Sequence, residues 1–462
     1  MADLVPQGVV IEQGPEDWQI VQRDRRGFGV LRQAGRWYSA TPGCVEVRLA
    51  EEDTSAPVSP SLDWQRVDTR ADGTWATDLV DIPGGGLYRL ETRFNPEGNV
   101  AGEWSMRGDM RHHLGVGELW VIAGQSNSAG YGRGVVYDPP ELGLHLLRNN
   151  EHWALATHPL NESTDTCHPV NREGANPAHA PYLQFARVLR RALGVPVGLV
   201  QTALGGSPLS QWDPAEGDAG LYRNMIHCVG LAGGSVRGVV WYQGESDSSP
   251  ELGTTYAARF SRAVAAWREA MGLPELAVIT VQLNRVTAPQ PEGADLGWSL
   301  VREAQRQVAR RLAGVAVVPA LDLPLSDQIH TSPAGNLILG ERMAQAALAV
   351  AYGQPRWWRA PEIAAARRAG DGLWLELTFD HVQSRLDTLE PARHPFRVEE
   401  AGGVLPVAEV AYPGGAVVRL RLARPLAGPA CVHAAWGADP APLPLDMERL
   451  MPILGFHGVP IE

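Results

Sequence analysis

The chain has 462 residues, of which 44% are hydrophobic. A chain of this length and hydrophobic content exceeds what one compact core accommodates, so several domains are expected. Acidic residues outnumber basic residues by 52 to 40, which gives a net charge of -12, and no lysine or arginine cluster interleaved with aromatic residues occurs. We therefore expect no nucleic-acid partner.

The N-terminal segment has neither a basic region nor an unbroken apolar run, and no other segment approaches about 18 consecutive apolar residues. We therefore expect a cytoplasmic protein without a membrane partner. The four cysteines, Cys44, Cys167, Cys228 and Cys431, lack C-x-x-C spacing. Their scatter predicts neither a disulfide framework nor a thiolate metal site, and buried small side chains are expected instead.

The first part of the chain, from about residue 17 to residue 105, has the pattern of short strands. Residues 44–49 alternate between apolar and polar side chains, and residues 87–94 alternate after a run of three glycines. We predict a β-rich N-terminal domain over residues 1–111.

From Glu118 the pattern changes to buried apolar strands separated by segments of helical length, which predicts a parallel sheet. The predicted strands cover residues 119–123, 197–202, 238–243, 276–283 and 315–320. The predicted helices cover residues 179–193, 256–271, 298–312 and 334–351. These elements predict an α/β domain with three layers over residues 112–354.

Alternation returns in the last part of the chain. It covers residues 373–379, 405–410, 417–422 and 430–436, with proline and glycine turns between them. We predict a second β-rich domain over residues 355–462.

Polar clusters follow the predicted parallel strands, at the edge where open α/β sheets place ligands. Ser126 belongs to the block Gly124-Gln125-Ser126-Asn127, which comes directly after strand 119–123. A serine at such a turn can present its hydroxyl and backbone N–H to a cleft, although it is more often a helix N-cap. Gly206 follows strand 197–202. A glycine there can aim a backbone amide at an oxyanion, although a glycine pair is usually a simple turn.

The third cluster offers the side chains of Gln243 and Glu245, which could equally form a solvated loop. The fourth contains Asp327 and His330. An aspartate three residues before a histidine can hold one imidazole nitrogen and leave the other for a nucleophile, although such a histidine is more often structural. Because the four clusters follow successive strands of one sheet, together they favour a hydrolytic site.

Four sequence blocks carry a resemblance to SGNH hydrolases, specifically to the branch of sialate O-acetylesterases and acetylxylan esterases. The blocks are GQSN (124–127), GGS (205–207), WYQGES (241–246) and DQIH (327–330). The resemblance covers roughly residues 117–350 and implies a flavodoxin-like three-layer fold. Gln125 stands where the general SGNH pattern has aspartate, and Gln243 where it has asparagine; both changes are typical of the sialate-type branch.

The resemblance also implies roles for individual residues. It implies an oxyanion hole made of the backbone N–H groups of Ser126 and Gly206 with the side-chain amide of Gln243. It further implies a role near His330 for Glu245. Asp327 is expected to hold the tautomer of the imidazole.

Five side chains are candidates for binding a carbohydrate substrate. Trp212 and Trp298 are candidates for stacking on a sugar ring, and core packing explains them nearly as well. Gln282 and Asn284, at the end of strand 276–283, could hydrogen-bond hydroxyl groups, with a structural hydrogen bond as the alternative for Gln282. Gln125 is the fifth candidate.

We therefore expect a serine esterase that removes O-acetyl groups from acetylated xylo-oligosaccharides, sialic acids or similar carbohydrates. His330 takes the proton of Ser126 as an acetyl-serine intermediate forms, and neither a metal nor a cofactor is needed. An esterase or lipase for other esters is an alternative, but such an enzyme requires an apolar channel for the acyl chain. A catalytically inert sugar-binding protein is another, and the intact Ser126, His330 and Asp327 argue against it.

Overall fold

The computed structural model describes residues 8–99, 104–370 and 372–462. Its N-terminal part is built mainly from strands, as the alternation predicts. The strands are β1 (Gly8–Gln13), β2 (Ile20–Gln22), β3 (Phe28–Tyr38), β4 (Gly43–Glu51), β5 (Gln65–Arg66), β6 (Asp68–Thr69), β7 (Thr74–Pro83), β8 (Gly85–Pro96) and β9 (Met106–Gly124). Strands β1, β3, β7 and β6 form one antiparallel sheet, and β5, β4, β8 and the first part of β9 form another.

The alternation in β4 places its apolar side chains on one buried face. Val45, Val47 and Leu49 are all fully buried, and Phe94 and Leu90 lie opposite Val45 and Leu49 on β8. This face shares one apolar core with side chains of β1, β3 and β7. The N-terminal part is therefore a sandwich of two sheets.

Strand β9 belongs to two sheets. Its first part runs antiparallel to β8, from Met106 to Val116. Its last part, from Glu118 to Gly124, lies in the centre of a parallel sheet. The boundary that the sequence predicts between residues 111 and 112 falls inside this strand, and the limits of the domains stay predictions.

The central part alternates strands and helices. Its elements are α1 (Ser126–Ala129), β10 (Leu144–Leu147), β11 (Trp153–Leu155), α2 (Tyr182–Leu193), β12 (Val197–Gln201), α3 (Gly220–Leu231), β13 (Gly238–Tyr242), α4 (Pro250–Met271), β14 (Ala277–Gln282), α5 (Ala294–Arg311), β15 (Val315–Pro319) and α6 (Pro333–Val350). The sheet order is β11-β10-β12-β9-β13-β14-β15, and only β11 is antiparallel to its neighbour. The predicted parallel strands and helices are confirmed, with shifted ends.

Two tryptophans show that helices cover both faces of the sheet. Trp241 on β13 lies in register with Ala123 on β9, three residues beyond Trp120, so the two tryptophans face opposite sides. Trp120 packs edge-on against Phe185 of α2, and Trp241 stacks on Phe260 of α4. The expected three-layer α/β architecture follows.

Helix α3 and the edge strands β10 and β11 are absent from the predicted elements. Gly220 and Gly230 lower the helix propensity of α3. The residue before the helix, Ala219, has φ +45° and gives no side-chain cap. Strands β10 and β11 have four and three residues, too few to show a pattern.

The C-terminal part is again mainly β, as predicted. Its strands are β16 (Glu362–Ala369), β17 (Trp374–Asp380), β18 (Leu386–Asp387), β19 (Phe396–Glu400), β20 (Gly403–Leu405), β21 (Val407–Gly414), β22 (Val417–Leu422), β23 (Ala430–Ala434), β24 (Leu445–Asp446), β25 (Met451–Pro452) and β26 (Phe456–Pro460). They form sheets of order β16-β17-β22-β21, β20-β19-β23-β26 and β18-β24-β25. No helix within the described ranges combines the length and apolarity needed to cross a membrane.

The buried Arg302 of α5 joins the central part to the C-terminal part. Its guanidinium donates to the carbonyl oxygens of Leu283 and Asn284 on one side and of Ala435 and Gly437 on the other. Burial lowers the pKa of Arg302 to about 9. Carbonyl oxygens thus replace the water that this cation loses on folding.

The carboxylate of Glu118 joins the N-terminal part to the parallel sheet. Its side chain is fully buried and accepts from Arg23 at 2.6 Å and from Arg237 at 2.8 Å. Arg23 follows β2, and Arg237 precedes β13. One buried anion therefore balances two cations from separate parts of the fold.

We predict that Glu118→Gln lowers the free energy of unfolding by about 3 kcal/mol, because it leaves two partly buried arginines without an anion. Chemical denaturation monitored by tryptophan fluorescence measures this change. Glu275→Gln is the matched control, because it breaks an ion pair with Arg25 in which both side chains are exposed. The control should change stability by less than about 0.5 kcal/mol. Equal effects of the two substitutions would contradict the role of Glu118.

Candidate active site

Ser126 is presented at a sharp turn after the central strand. Gly124 has φ +124°, and a Cβ on it would lie 2.2 Å from the carbonyl oxygen of Tyr242, so only glycine fits. The N–H of Gln125 donates to the same carbonyl at 2.9 Å. The chain thus turns at the carboxyl edge of the sheet and places Ser126, half-buried, at the start of α1.

The loop between β15 and α6 holds the imidazole of His330 against Asp327. Oδ2 of Asp327 lies 2.7 Å from Nδ1 of His330. Oδ1 of the same carboxylate accepts from the backbone N–H groups of Ile329 and His330, both at 2.8 Å. Partial burial alone would raise the pKa of Asp327, but these hydrogen bonds outweigh it and lower that pKa. An ionised Asp327 therefore favours a proton on Nδ1 and leaves Nε2 as an acceptor.

Asn127, the neighbour of Ser126, connects the turn at Ser126 to the histidine loop, which joins β15 to α6 and carries His330. Its side-chain oxygen accepts from the N–H of Thr331 at 2.9 Å, and its nitrogen donates to the carbonyl of Ile329 at 3.4 Å. The ring of Tyr131, just beyond α1, stacks on the imidazole of His330 with 5.0 Å between centroids. The two loops are therefore held side by side.

Glu245 contacts this arrangement through Asn127. Its Oε1 accepts from Nδ2 of Asn127 at 2.8 Å, and its buried Oε2 has no hydrogen-bond partner among the described residues. Burial raises the pKa of Glu245 to about 7; the bond from Asn127 opposes this rise, and the charge of Asp247 adds to it. The role near His330 that the resemblance implies is thus an indirect one in this geometry.

Two backbone N–H groups lie where an oxyanion hole is expected. Within the described residues, the N–H groups of Ser126 and Gly206 donate to no protein acceptor. Gly206 has φ +66°, and its carbonyl accepts from the hydroxyl of Ser246 at 3.1 Å. The N–H of Gly205, in contrast, is used by Glu173 at 2.6 Å.

The structure corrects the expectation for the Gln243 amide. This side chain is fully buried, and its nitrogen donates to Oδ2 of Asp247 at 2.6 Å, to Oε1 of Gln125 at 3.2 Å and to the carbonyl of Ser207 at 3.3 Å. Its oxygen accepts from Tyr256 at 2.8 Å. Both amide protons are occupied, so Gln243 organises the loop rather than offering a donor to the cleft.

The Gln125 amide has the opposite arrangement. Its oxygen accepts from the backbone N–H groups of Ser246 at 3.1 Å and Gly244 at 3.4 Å. Two backbone donors fix which end of the amide is the oxygen. The nitrogen donates to no group of the described residues, so it is the side-chain donor next to Ser126 that remains unused.

The structure also corrects the two tryptophan expectations. Trp212 is fully buried; its Nε1 donates to Oγ of Ser207 at 3.1 Å, and its ring packs edge-on against Trp241. Trp298 is 3% exposed and lies under the guanidinium of Arg302. Neither ring face is open to a sugar, and core packing accounts for both.

Gln282 and Asn284 are likewise turned into the protein. Gln282 exchanges two hydrogen bonds with the backbone of Gly455, at 2.8 and 2.9 Å, and thereby helps to attach the C-terminal part. Asn284 donates to Oγ1 of Thr331 at 3.2 Å, behind the histidine loop. Both expectations of substrate binding are corrected, because these side chains are buried and fully engaged.

Glu173 is a residue of this region that the motifs do not reveal. It accepts from the N–H of Gly205, and the hydroxyl of Tyr131 donates to its other oxygen. Burial raises the pKa of Glu173, and the Gly205 bond opposes that rise. It lies in a long irregular segment without periodicity, so no local signal marks it. Through these partners, Glu173 connects the glycine turn at Gly205 and Gly206 to the ring of Tyr131, which stacks on His330.

The arrangement can perform acyl transfer by a nucleophilic serine. A hydroxyl, an oriented imidazole and free backbone donors share one edge of the sheet. Among the described residues, the groupings of histidine, cysteine and carboxylate side chains with metal-ligand spacing include none of Ser126, Asp327 and His330.

Comparison with known proteins agrees with this chemistry. The family model described as carbohydrate esterase, sialic acid-specific acetylesterase matches residues 116–349. A probable carbohydrate esterase of Arabidopsis thaliana is 29% identical over 255 residues, which cover 50% of this chain and 90% of the relative. The crystal structure of a carbohydrate acetylesterase from Xanthomonas citri covers 96% of this chain and 97% of its own, with 25% identity and a TM-score of 0.67.

The match to the Xanthomonas citri structure extends over both β-rich flanks as well as the central sheet. The expected SGNH-type fold with flanking β-rich parts is therefore confirmed. The chain belongs to the carbohydrate esterase family of sialic acid-specific acetylesterases, and it is an ester hydrolase.

Proposed function

We propose that the protein is a serine esterase that removes O-acetyl groups from carbohydrates. The observation that carries the proposal is the His330–Asp327 pair, at 2.7 Å, held beside the Ser126 turn by Asn127. Acetylated sialic acids and acetylated xylo-oligosaccharides are the proposed substrates. The description of the matching family supports the first class, and the general description of the Xanthomonas citri enzyme supports carbohydrate esters as a whole.

The first half of the reaction forms an acetyl-serine. Nε2 of His330 accepts the proton of the Ser126 hydroxyl while Oγ bonds to the acetyl carbon. The tetrahedral intermediate collapses by breaking the bond between that carbon and the sugar oxygen. The imidazolium gives its proton to the sugar oxygen, and the deacetylated sugar leaves with a free hydroxyl group.

The second half restores the enzyme. Nε2 of His330 accepts a proton from a water molecule, whose oxygen bonds to the carbon of the acetyl-serine. Collapse of this intermediate breaks the bond to Oγ, which regains a proton from the imidazolium, and acetate is released. Asp327 stabilises the imidazolium in both halves by its hydrogen bond to Nδ1.

Three donors stabilise the negative oxygen of each intermediate. We assign the N–H groups of Ser126 and Gly206 to this task, with the amide nitrogen of Gln125 as the third donor in place of Gln243. The assignment rests on hydrogen-bond partners, because the Gln243 nitrogen is occupied and the Gln125 nitrogen is not. Donors already fixed before the reaction lower its barrier without reorganisation.

We predict that Ser126→Ala lowers kcat on an acetylated sugar by about 10⁴-fold or more, because the nucleophile is lost. Acetate release measures this, and thermal unfolding should show a stability within about 0.5 kcal/mol of wild type. Ser210→Ala, a half-buried serine on the loop after Gly206, is the control and should retain normal turnover. A Ser126→Ala enzyme with wild-type kcat would overturn the proposed function.

The next prediction concerns the carboxyl groups of Asp327 and Glu245. Asp327→Asn should lower kcat by about 10³- to 10⁴-fold, because Nδ1 loses the acceptor that fixes its tautomer. Glu245→Gln should cost less than about 10-fold, because glutamine keeps an oxygen for Asn127. Steady-state kinetics of both variants test this difference, and the reverse ranking would contradict the assignment.

Another prediction separates the role of Gln125 from that of Gln243. Gln125→Glu keeps an oxygen for the N–H groups of Ser246 and Gly244 but replaces the donor nitrogen with an oxygen. We expect kcat to fall by about 100-fold or more, with a smaller change in KM. Gln125→Ala should also lose activity. Near-normal kcat in both folded variants would show that the third donor lies elsewhere.

A further inference from the structure

A cluster of metal-ligand side chains lies outside the residues proposed for catalysis. Oε1 of Glu151 is 2.8 Å from Nε2 of His227 and 3.7 Å from Nε2 of His168. The ligand atoms of these three side chains all lie within 4.8 Å of one another. Sγ of Cys228 is 3.8 Å from Nε2 of His168. Metal–ligand distances of about 2.0–2.2 Å in a tetrahedral zinc site separate the ligand atoms by roughly 3.3–3.6 Å, so small movements of Glu151, His168 and His227 suffice. Cys228 is not in this group of three and lies behind His168.

The cluster has a buried floor and an open side. Cys228 is 3% exposed, and the side chain of His168 is 11% exposed. The side chains of His227 and Glu151 are 52% and 36% exposed. An ion can therefore enter from solvent and reach the largely buried imidazole of His168.

Glu151 lies in the tight turn between β10 and β11, where its N–H donates to the carbonyl oxygen of Arg148 at 3.0 Å. Glu151 has φ +66°, a left-handed conformation that is unfavourable for a residue with a Cβ. Such conformations persist where the surrounding structure or function requires them. Here the conformation accompanies a carboxylate directed at two histidines.

The charge around Glu151 distinguishes this cluster from a second one at Asp138, His158 and His179. Asp138 accepts from Arg187 at 2.7 Å, and that fixed positive charge opposes a cation. Among the described residues, Glu151 forms ion pairs with His168 and His227 and with no arginine or lysine.

A third cluster, formed by Glu399, Cys431 and His433, is also less suited to a cation. Arg397 donates to Glu399 at 2.5 Å. The N–H of Gly458 donates to Nδ1 of His433 at 3.1 Å, so in the neutral ring the proton occupies Nε2, the atom that faces Cys431. A ring in this tautomer has no lone pair for a metal at that position.

We propose that Glu151, His168 and His227 together bind one Zn²⁺ ion. Imidazole and carboxylate are ligands that zinc takes in proteins, and three of them with one water molecule complete a tetrahedral site. The two imidazoles bind as neutral rings.

The ion cross-links three segments that are distant in sequence. Glu151 lies in the turn between β10 and β11, His168 lies in the long segment before α2, and His227 lies on α3. The segment that carries His168 continues to Asn171, whose amide donates to the carbonyl of Thr202 at 3.3 Å. It then reaches Glu173, which bonds the glycine turn. The zinc site thus braces the loop that borders the esterase cleft.

The full-length protein, freed of metal with a chelator, tests the proposal by titration with ZnCl₂ and separately with CoCl₂. We expect one Zn²⁺ per chain by calorimetry and a rise in Tm of at least about 3 °C on zinc addition. The cobalt form should show an intense tetrahedral d–d spectrum without a thiolate-to-cobalt charge-transfer band. Failure to bind one ion per chain, or the presence of a thiolate band, would overturn the three-ligand site.

Matched variants identify the ligands. His227→Ala should weaken zinc binding by about 100-fold and remove most of the Tm rise, because an exposed ligand is lost without a core cavity. His152→Ala is the control. His152 is the neighbour of Glu151 but pairs with Glu16, so this variant should bind zinc normally. Cys167→Ser, at the exposed neighbour of His168, should also bind zinc normally, because neither cysteine of this region is in the ligand group. Unchanged binding by His227→Ala would refute the assignment.

Discussion

Strand β9 is the constraint on which the rest of the fold depends. It pairs with β8 in the N-terminal sandwich and with β12 and β13 in the parallel sheet, so one continuous backbone belongs to both. The buried carboxylate of Glu118 lies on this strand and balances arginines from both sides. Because Ser126 follows the strand directly, the position of the nucleophile depends on this register. A slip of one residue would exchange the two faces of the strand and move Gly124 away from the carbonyl of Tyr242, a position where only glycine fits.

The carboxyl ends of parallel strands meet at one edge, and this brings the loops after β9, β12, β13 and β15 together. Asn127 then sets their relative positions, because its amide bonds Glu245 on one loop and Thr331 on another. The proposed catalytic groups are thus held by side chains that do not themselves react, which is the support that a preorganised site requires. Glu173 provides a similar connection between the glycine turn and Tyr131.

Polar residues at strand ends serve structure as well as chemistry. Gln282 and Asn284 follow the same rule of position as Ser126 and Gln125, yet their amides are spent on Gly455 and Thr331. The C-terminal β-rich part covers this side of the sheet, and Arg302 reaches into it. A polar group that becomes buried must find a partner, so the packing of the C-terminal part for Gln282, and of the neighbouring loop for Asn284, decides which strand-end residues remain free for substrate.

The sequence by itself determined the features that depend on short-range geometry. Apolar runs predicted the parallel strands, and a three-residue offset predicted the contact of Asp327 with His330, which the structure has at 2.7 Å. Only the tertiary structure decided which of Gln125 and Gln243 keeps a free amide and that Trp212 is enclosed. It also brought the ligand atoms of Glu151, His168 and His227 within 4.8 Å of one another, a grouping that no sequence motif predicted. The physical reason is that local backbone geometry fixes neighbours a few residues apart, whereas burial and hydrogen-bond partners depend on which distant segments pack together.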